Sequence, residues 1–299
     1  MMSNRTPAKL MGHISSPIWG GDRLSRAYKR FSGKQSIGEV WETSVTAGCE
    51  STAFVGDKEH PLSEYFTELG VGHFPLVKLI SASAPLSIQV HPDETAAALH
   101  GGTAKSELWY VLSADDDASI IYGTSDGKSY IDVSAALACG EVEKCCRRLR
   151  VRAGDVFMIP PGLIHSLGGG ITVLEVQDRP GTTYRLKDIA GNRELHIREG
   201  LDSIKIYTPA DAAALAVSEN AVCSLPGRII AAGCGFSLSH AVFTARESVP
   251  QSYIFCAAGS VTAVSDDGSL SFASGESLFV PENSVIIPDN AAELLFVGK

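Results

Sequence analysis

The stretch that decides the fold is Gly154-Asp155-Val156-Phe157-Met158-Ile159-Pro160-Pro161-Gly162-Leu163-Ile164-His165. Its glycine permits a turn, the apolar and aromatic residues that follow are typical of a strand, and proline ends that strand. A related stretch, Gly275-Glu276-Ser277-Leu278-Phe279-Val280-Pro281, lies near the C-terminus, and there Ile286 falls at the position of His165. This weak repeat predicts that one barrel strand occurs twice and that only the first copy keeps a polar centre.

The rest of the chain shows the same pattern of short apolar runs separated by glycine and proline, with 29 Gly and 14 Pro among 299 residues. Such punctuation is typical of an all-β barrel or sandwich. Strands are predicted over residues 108–112, 119–122, 151–160 and 171–177. Helices are fewer and are predicted over residues 61–69, 93–100, 134–148 and 194–206. Asp93 is the expected start of its helix, since its short side chain can accept a free backbone N–H.

Composition limits the protein class. With 44% hydrophobic and 20% charged residues, the chain can bury a sizeable core in one large or two ordinary domains. A motif-poor, alanine-rich segment after residue 208 places the predicted boundary there, which gives a larger domain over 1–208 and a smaller β domain over 209–299. The apolar stretches are too short to span a membrane and no signal peptide is evident, so the expected compartment is the cytoplasm.

Charge and cysteine usage exclude further classes. The net charge is −9 and the longest basic block is the run 144–150, so the chain is a poor candidate for binding nucleic acid. That run is expected to be a solvated helix face. The seven cysteines form no Cys-x-x-Cys pair, which argues against a disulfide framework or a thiolate zinc site.

Four polar residues form a candidate metal site. Gln89 and His91 are two apart, so on a strand their side chains share one face and can point together into a barrel. Glu107 lies downstream, and His165 ends the first copy of the repeat. Two imidazoles, one carboxylate and one amide oxygen suit Zn²⁺, Fe²⁺ or Mn²⁺, with room for water or substrate. This arrangement resembles the two motifs of the cupin superfamily, with Gln89 in place of the usual first histidine.

A narrower resemblance rests on six segments that occur in order between about residues 7 and 206. They are Pro17-Ile18-Trp19-Gly20-Gly21, Ile37-Gly38-Glu39-Val40-Trp41-Glu42-Thr43-Ser44, Phe74-Pro75-Leu76-Val77-Lys78, Leu86-Ser87-Ile88-Gln89-Val90-His91-Pro92-Asp93, Lys105-Ser106-Glu107-Leu108-Trp109-Tyr110 and Thr183-Tyr184-Arg185. Together they resemble the signature segments of the type I phosphomannose isomerases, in the short bacterial form. Val40 and Leu108 depart from the family pattern, but neither lies at a ligand position.

The resemblance implies a zinc enzyme that interconverts mannose 6-phosphate and fructose 6-phosphate. It implies one zinc ion per chain. The family's zinc ligands fall on Gln89, His91, Glu107 and His165. Its active-site lysine, pocket glutamate and arginine fall on Lys105, Glu175 and Arg185. It also implies a mainly β fold of two cupin-type jelly-roll barrels with a few helices, of which only the first carries a metal.

The implied reaction moves a proton between C2 and C1 of an open-chain sugar through an enediol, so it needs a base, stabilisation of negative charge and a phosphate anchor. Arg185 can pair with an enediolate oxygen or with the phosphate, and Lys105 can do either as a point charge. Glu175 shares a strand face with Val173 and Gln177. It is expected to be either the base or a carboxylate that orients Arg185 or Lys105.

Two other functions stay open. A cupin with two histidines and one carboxylate can hold Fe²⁺ as a dioxygenase, but Gln89, Lys105 and Arg185 argue against that chemistry. A non-catalytic sugar-binding cupin is expected to have lost ligands, whereas here all four ligand types are present. The expected partner is therefore a small phosphorylated sugar, with no nucleic acid and no membrane, and the oligomeric state stays open.

Overall fold

The computed structural model describes residues 6–34, 36–189, 191–207, 210–211, 215–217, 229–233 and 235–298. The strands of the first 187 residues are β1 (Ala8–Met11), β2 (His13–Ser15), β3 (Glu39–Trp41), β4 (Thr52–Val55), β5 (Lys58–Pro61), β6 (Leu76–Ala82), β7 (Ile88–Val90), β8 (Glu107–Ala114), β9 (Ser119–Thr124), β10 (Cys146–Arg150), β11 (Val156–Ile159), β12 (His165–Ser166), β13 (Ile171–Gln177) and β14 (Tyr184–Lys187). Those that follow are β15 (Ala216–Val217), β16 (Ile229–Gly233), β17 (Phe236–Phe243), β18 (Glu247–Val249), β19 (Ser252–Ala258), β20 (Ser260–Ser265), β21 (Gly268–Ala273), β22 (Ser277–Val280), β23 (Ser284–Pro288) and β24 (Ala292–Gly298).

In the described residues helices are fewer than strands, as predicted, and each is short. They are α1 (Arg23–Ala27), α2 (Leu62–Glu68), α3 (Glu94–His100), α4 (Tyr130–Ala138) and α5 (Ile197–Ser203), with 3-10 turns at Lys29–Phe31 and Val142–Cys145. The expected cap of α3 is confirmed, since the Asp93 carboxylate accepts the backbone N–H of Ala96 at 2.9 Å. Within the described residues, no helix is long and apolar enough to cross a membrane.

The helix predicted over 134–148 is wrong in its second half. Helix α4 starts earlier, where the Ser129 side chain and the Asp132 carboxylate form a reciprocal capping box. It stops before Gly140, whose φ of +70° is left-handed. The basic run 144–150 therefore enters strand β10, where Arg148 and Arg150 are exposed, and it is not a helix face.

The described residues fall into two compact units, built from residues 1–15, 22–79 and 220–299 and from residues 16–21 and 80–219. We call them the split unit and the central unit. The predicted boundary at 208 and 209 lies outside the described residues. The division also differs from the predicted one before residue 80, because β1 pairs with β22 through partners such as Lys9 and Leu278. Such long-range strand pairing is not readable from local sequence patterns.

The central unit has the two facing layers of a jelly roll. One sheet has the order β10-β9-β12-β7-β14, and in the other β15, β11, β8 and β13 are neighbours. Every assigned pairing between these strands is antiparallel. Their facing sides bury one core, which includes Val111, Tyr122, Phe157 and Val173. A second apolar cluster, which includes Val133 and Ile204, lies between the outer face of the five-stranded sheet and helices α4 and α5.

The split unit repeats the strand order of the central unit. Its sheets contain the runs β18-β23-β20-β21 and β24-β19-β22, which match β7-β12-β9-β10 and β13-β8-β11. Ile286 pairs with Glu247 and Ala263, just as His165 pairs with Gln89 and Tyr122. The interior of this unit is an apolar cluster that contains Ile286. The repeat read from Gly154 and Gly275 is thus a repeat of strand order, and Ile286 occupies the position equivalent to His165.

One ion pair beyond β14 gives a test of stability against pH. The Asp188 carboxylate is almost fully buried, accepts the backbone N–H of Arg193 at 2.8 Å and pairs with its guanidinium at 2.6 Å. These hydrogen bonds hold the pKa of Asp188 below its ordinary value. Because the folded-state pKa lies below the unfolded one, the pair stabilises the fold above the unfolded pKa, and this contribution is lost as pH falls through the folded pKa.

We therefore expect Asp188→Ala to lower the free energy of unfolding by about 2 kcal/mol at pH 7. The difference from wild type should begin to shrink as the pH falls below about 4, where an Asp of the unfolded chain binds its proton, and should vanish once the pH falls below the lower pKa of the folded state. Urea denaturation at several pH values measures this. The control is Asp116→Ala in an exposed turn, which should have little effect. A wild-type advantage that stays constant down to pH 2 would contradict the assignment.

Candidate metal centre

Three predicted metal ligands meet inside the central unit. Glu107 begins β8, His165 begins β12, and His91 directly follows β7. All three side chains are buried, and His165 lies directly across the strand pair from Gln89 on β7. Since directly opposed residues in an antiparallel pair project from the same face, the sheet brings Gln89 and His165 together.

The ligand atoms of this cluster are close to one another. His91 Nε2 lies 3.2 Å from Glu107 Oε2, and His165 Nε2 lies 3.4 Å from Glu107 Oε1. With one ligand atom taken from each of these three residues, the three atoms lie within 4.8 Å of one another. In the described part of the chain, no other group of three His, Cys, Asp or Glu side chains comes as close.

Backbone carbonyls orient both imidazoles. His165 Nδ1 lies 2.9 Å from the Leu163 carbonyl and His91 Nδ1 lies 3.2 Å from the Thr182 carbonyl. A carbonyl can only accept, so each Nδ1 carries the proton and donates it. Each Nε2 then keeps its lone pair, and this lone pair points toward Glu107. This is the usual orientation of histidines that bind a metal through Nε2.

The side-chain amide of Gln89 completes the predicted set. Its Nε2 lies 3.1 Å from His165 Nε2, and its Oε1 accepts from Ser87 Oγ at 3.3 Å. A half-turn of the amide exchanges its oxygen and nitrogen without moving the rest of the side chain. The amide oxygen can therefore face the same point as the two imidazoles.

Electrostatics leave the cluster in the protonation state that a metal requires. Burial opposes the charge on Glu107, but the positive charge of Lys105, whose Nζ lies 3.0 Å away, is the largest effect against it, and the Glu107 pKa is held well below its ordinary value. Burial, followed by the positive charge of Lys105, lowers the pKa of His91 to about 3. Burial also lowers the pKa of His165. At neutral pH the site therefore holds one carboxylate and two neutral imidazoles.

Two buried atoms without hydrogen-bond partners give independent support for a bound cation. Although both are buried, His91 Nε2 and Glu107 Oε1 have no hydrogen-bond partner among the described residues. A buried acceptor without a donor costs about 1–3 kcal/mol. A divalent cation between the two histidines and Glu107 would coordinate both atoms, so the residues present fit a bound metal.

Lys105, predicted from the family motif, lies in direct contact with this cluster. Its side chain is buried and its stem runs against Gly181, where an added Cβ would come within 2.6 Å of the Lys105 Cβ. The loop that contains Gly181 is tied to the Lys105 segment, because Thr182 N donates to the Thr103 carbonyl at 2.9 Å and Ser106 N donates to Asp178 Oδ1 at 3.0 Å. This loop therefore positions both Lys105 and, through the Thr182 carbonyl, His91.

Glu175 lies on β13 and is joined to the cluster indirectly. Its side chain is buried opposite Trp109, and Glu175 Oε2 accepts the indole N–H of Trp109 at 2.9 Å. Its other oxygen accepts from the amide of Gln177, which also donates to Glu107 at 3.4 Å. Glu175 thus contacts neighbours that reach the candidate ligand Glu107.

Arg185 lies on β14 directly across from Gln89, so its side chain leaves the sheet on the same face. Its Nη1 donates to the Glu194 carbonyl at 2.7 Å, and its backbone N–H donates to His196 Nδ1 at 3.2 Å. Arg185 Nε is buried and has no hydrogen-bond partner among the described residues. The guanidinium therefore keeps donor capacity beside Gln89.

Motif reasoning missed three contributors to this site. Gln177 and the indole of Trp109 hold Glu175, and the Thr182 carbonyl orients His91. The sequence did hold a signal for Gln177, since it follows Glu175 by two residues and shares its strand face. No sequence signal marks the Thr182 carbonyl, because every residue type has a backbone carbonyl.

Comparisons with known proteins place the chain in a family. No model of a protein family matches the chain. Over 222 residues the chain is 37% identical to mannose-6-phosphate isomerase from Streptococcus mutans, a match covering 69% of this chain and 70% of that protein. It is 34% identical over 217 residues to a Bacillus subtilis protein named probable mannose-6-phosphate isomerase GmuF, which covers 64% of this chain and 68% of that protein.

Solved structures show the same fold. The mannose 6-phosphate isomerase from Bacillus subtilis matches with a TM-score of 0.81 at 24% identity, over 98% of this chain and all of that one. A zinc-bound mannose 6-phosphate isomerase matches with a TM-score of 0.80 at 14% identity, over 98% of this chain and 99% of that one. The mainly β cupin fold is thereby confirmed. Because of its 37% identity to a relative of which it covers 70%, the chain belongs to the mannose-6-phosphate isomerase family.

Proposed function

We propose that the protein interconverts mannose 6-phosphate and fructose 6-phosphate by proton transfer through an enediol. The observation that carries the proposal is the buried His91, Glu107 and His165 cluster in contact with Lys105. That cluster lies in a chain whose relatives are named mannose-6-phosphate isomerase. The expected partner is accordingly a small phosphorylated sugar.

The proposed cofactor is one zinc ion per chain, held by Gln89, His91, Glu107 and His165. Two neutral imidazoles with an anionic and a neutral oxygen are ligands that zinc accepts, and a solved structure of similar fold is described as zinc-bound. When bound, the ion would supply Lewis acidity to the sugar oxygens at C1 and C2.

Two positively charged side chains, Lys105 and Arg185, can stabilise the negative charge of a phosphorylated sugar. Lys105 is held beside the cluster by Glu107, where its ammonium can stabilise an enediolate oxygen or the phosphate. Arg185 projects from the same sheet face as Gln89, and its planar fork suits either a pair of sugar oxygens or a phosphate. Beneath them the barrel interior is apolar around Val111 and Val173, which keeps water from reaching the site from below.

For Glu175, the proposal favours the orienting role over the base. Both of its oxygens accept hydrogen bonds from neighbouring side chains, Trp109 and Gln177. These donors fix the orientation of the carboxylate, and a hydrogen bond would be lost if it turned toward a sugar. Glu175 then keeps the pocket in shape, and it is not required to touch the sugar.

The two rival functions account for fewer of the contacts. A dioxygenase needs open metal positions for oxygen. That function gives no role to Lys105, whose ammonium is buried against the candidate ligand Glu107. A non-catalytic sugar-binding cupin gives no reason to bury two oriented imidazoles with a carboxylate. We also propose a cytoplasmic location. Free thiols at Cys49, Cys139, Cys145, Cys146 and Cys256 are those of a reducing compartment.

A coupled assay tests the activity itself. Purified, metal-analysed protein is incubated with mannose 6-phosphate, and fructose 6-phosphate is consumed by a coupling enzyme. The proposal expects steady turnover that stops when a chelator removes the metal and returns when zinc is added. Zinc-loaded protein without turnover on either sugar phosphate would exclude the proposed reaction.

The ligand assignment predicts a loss of metal. His91→Ala and His165→Ala should each bind zinc far more weakly than wild type, because each removes one of four ligands. Elemental analysis after dialysis measures the zinc per chain, with one expected for wild type. The matched control is His240→Ala, a buried histidine of the split unit paired with Glu293, which should keep its zinc. Equal metal content in all four proteins would remove these ligands from the proposal.

The role of Arg185 predicts a loss of turnover. If its guanidinium stabilises the enediolate, Arg185→Ala should lower kcat by about 10² to 10³, since one preorganised donor is typically worth that much. Arg185→Lys should rescue little, because a point charge cannot reproduce a planar fork. If Arg185 only anchors phosphate, the loss should appear mainly in KM. Steady-state kinetics with verified zinc content measure both quantities.

The control for Arg185 is Arg179→Ala in the preceding loop. Arg179 is half-exposed, and its guanidinium pairs with Asp178 and Glu94. Near wild-type kcat for Arg185→Ala, or an equal loss at Arg179, would exclude Arg185 from the chemistry.

A further inference from the structure

A chain of buried hydrogen bonds runs from an indole to the candidate ligand Glu107. Trp109 Nε1 donates to Glu175 Oε2 at 2.9 Å, the Gln177 amide donates to Glu175 Oε1, and the same amide nitrogen lies 3.4 Å from Glu107 Oε2. All four side chains are at most 3% exposed. The chain is therefore shielded from water.

The register of two paired strands brings these hydrogen-bonding side chains together. On the paired strands β8 and β13, Glu175 lies opposite Trp109 and Gln177 lies opposite Glu107. Each buried carboxylate thus faces a side-chain donor on the neighbouring strand. An amide nitrogen has two N–H groups, so Gln177 can donate to Glu175 and Glu107 at once without adding a charge between them.

The two oxygens of Glu107 have different surroundings. Oε2 accepts from Gln177, pairs with Lys105 and lies 3.2 Å from His91 Nε2, whereas Oε1 has no hydrogen-bond partner among the described residues and lies 3.4 Å from His165 Nε2. Donors that hold one oxygen fix the rotation of the carboxylate. The other oxygen is then left without a donor beside His165 Nε2, where it can bind a cation.

We propose that Gln177 is a positioning residue, which holds Glu107 so that Oε1 faces the metal, and that Trp109 and Glu175 act through it as its anchor. The inference rests on the proposed metal site and deepens it. Gln177 has no contact with substrate in this role. Gln177 holds the Glu107 side chain in its ligating orientation before the metal binds, so loss of Gln177 should weaken metal binding.

The test is the zinc affinity of the full chain, measured by competition with a chromophoric chelator. Gln177→Met keeps the length of the side chain and removes both donors. Its zinc dissociation constant should rise by about 10-fold to 100-fold, which is typical for loss of a partner that orients a metal ligand. The control is Thr172→Val on the same strand, which removes a buried hydrogen bond to Ser81 outside the chain of donors. Its zinc affinity should stay at the wild-type value.

A second variant covers the case in which Gln177→Met does not fold. Glu175→Gln replaces one of the two accepting oxygens with an NH2 group that cannot accept, so either the hydrogen bond from Trp109 or the one from Gln177 is lost and the anchor of Gln177 is weakened. Its zinc affinity should fall too, and in the double variant the two effects should be less than additive. If both single variants lose thermal stability as Thr172→Val does and keep wild-type zinc affinity, Gln177 is only structural and the inference is wrong.

This result is separable from a failure of the proposed function. The affinity measurement needs no turnover. Zinc-loaded wild type that fails to isomerise mannose 6-phosphate overturns the reaction alone, and unchanged zinc affinity in the Gln177 and Glu175 variants overturns the positioning role alone.

Discussion

The structure of the central unit depends on keeping one carboxylate charged in a place without water. Glu107 is buried, and burial alone would raise its pKa. Lys105, two imidazoles and the Gln177 amide surround it. Lys105 lies two residues before Glu107, but the two histidines and Gln177 come from strands and loops far from it in sequence, so the jelly roll must close before the full set of neighbours surrounds the carboxylate. The fold and the site therefore stabilise each other.

The split unit shows the same strand order with an apolar residue, Ile286, at the position of the candidate ligand His165. Its interior is an apolar cluster. The fold itself therefore carries no chemistry, and the site consists of a few polar substitutions in one barrel. That only the first barrel carries a metal stays a prediction.

The sequence predicted the elements near the site well, for local reasons. Period-two patterns found β13 over its full length, and Asp93 marked the start of α3. The spacing of Gln89 and His91 predicted their common face. The helix over 134–148 failed because Gly140 ends α4, after which alternating burial makes residues 146–150 an edge strand. Two distant relations were also invisible: the pairing of β1 with β22 and the carbonyl that orients His91.

The central claim is that one divalent metal binds between His91, Glu107 and His165. Crystals grown from protein loaded with zinc, measured on both sides of the zinc absorption edge, test it most directly. We expect one anomalous peak per chain in contact with His91 Nε2, His165 Nε2 and Glu107 Oε1, and none inside the split unit. An ordered peak bound only elsewhere on the chain, with none beside His91, would contradict it.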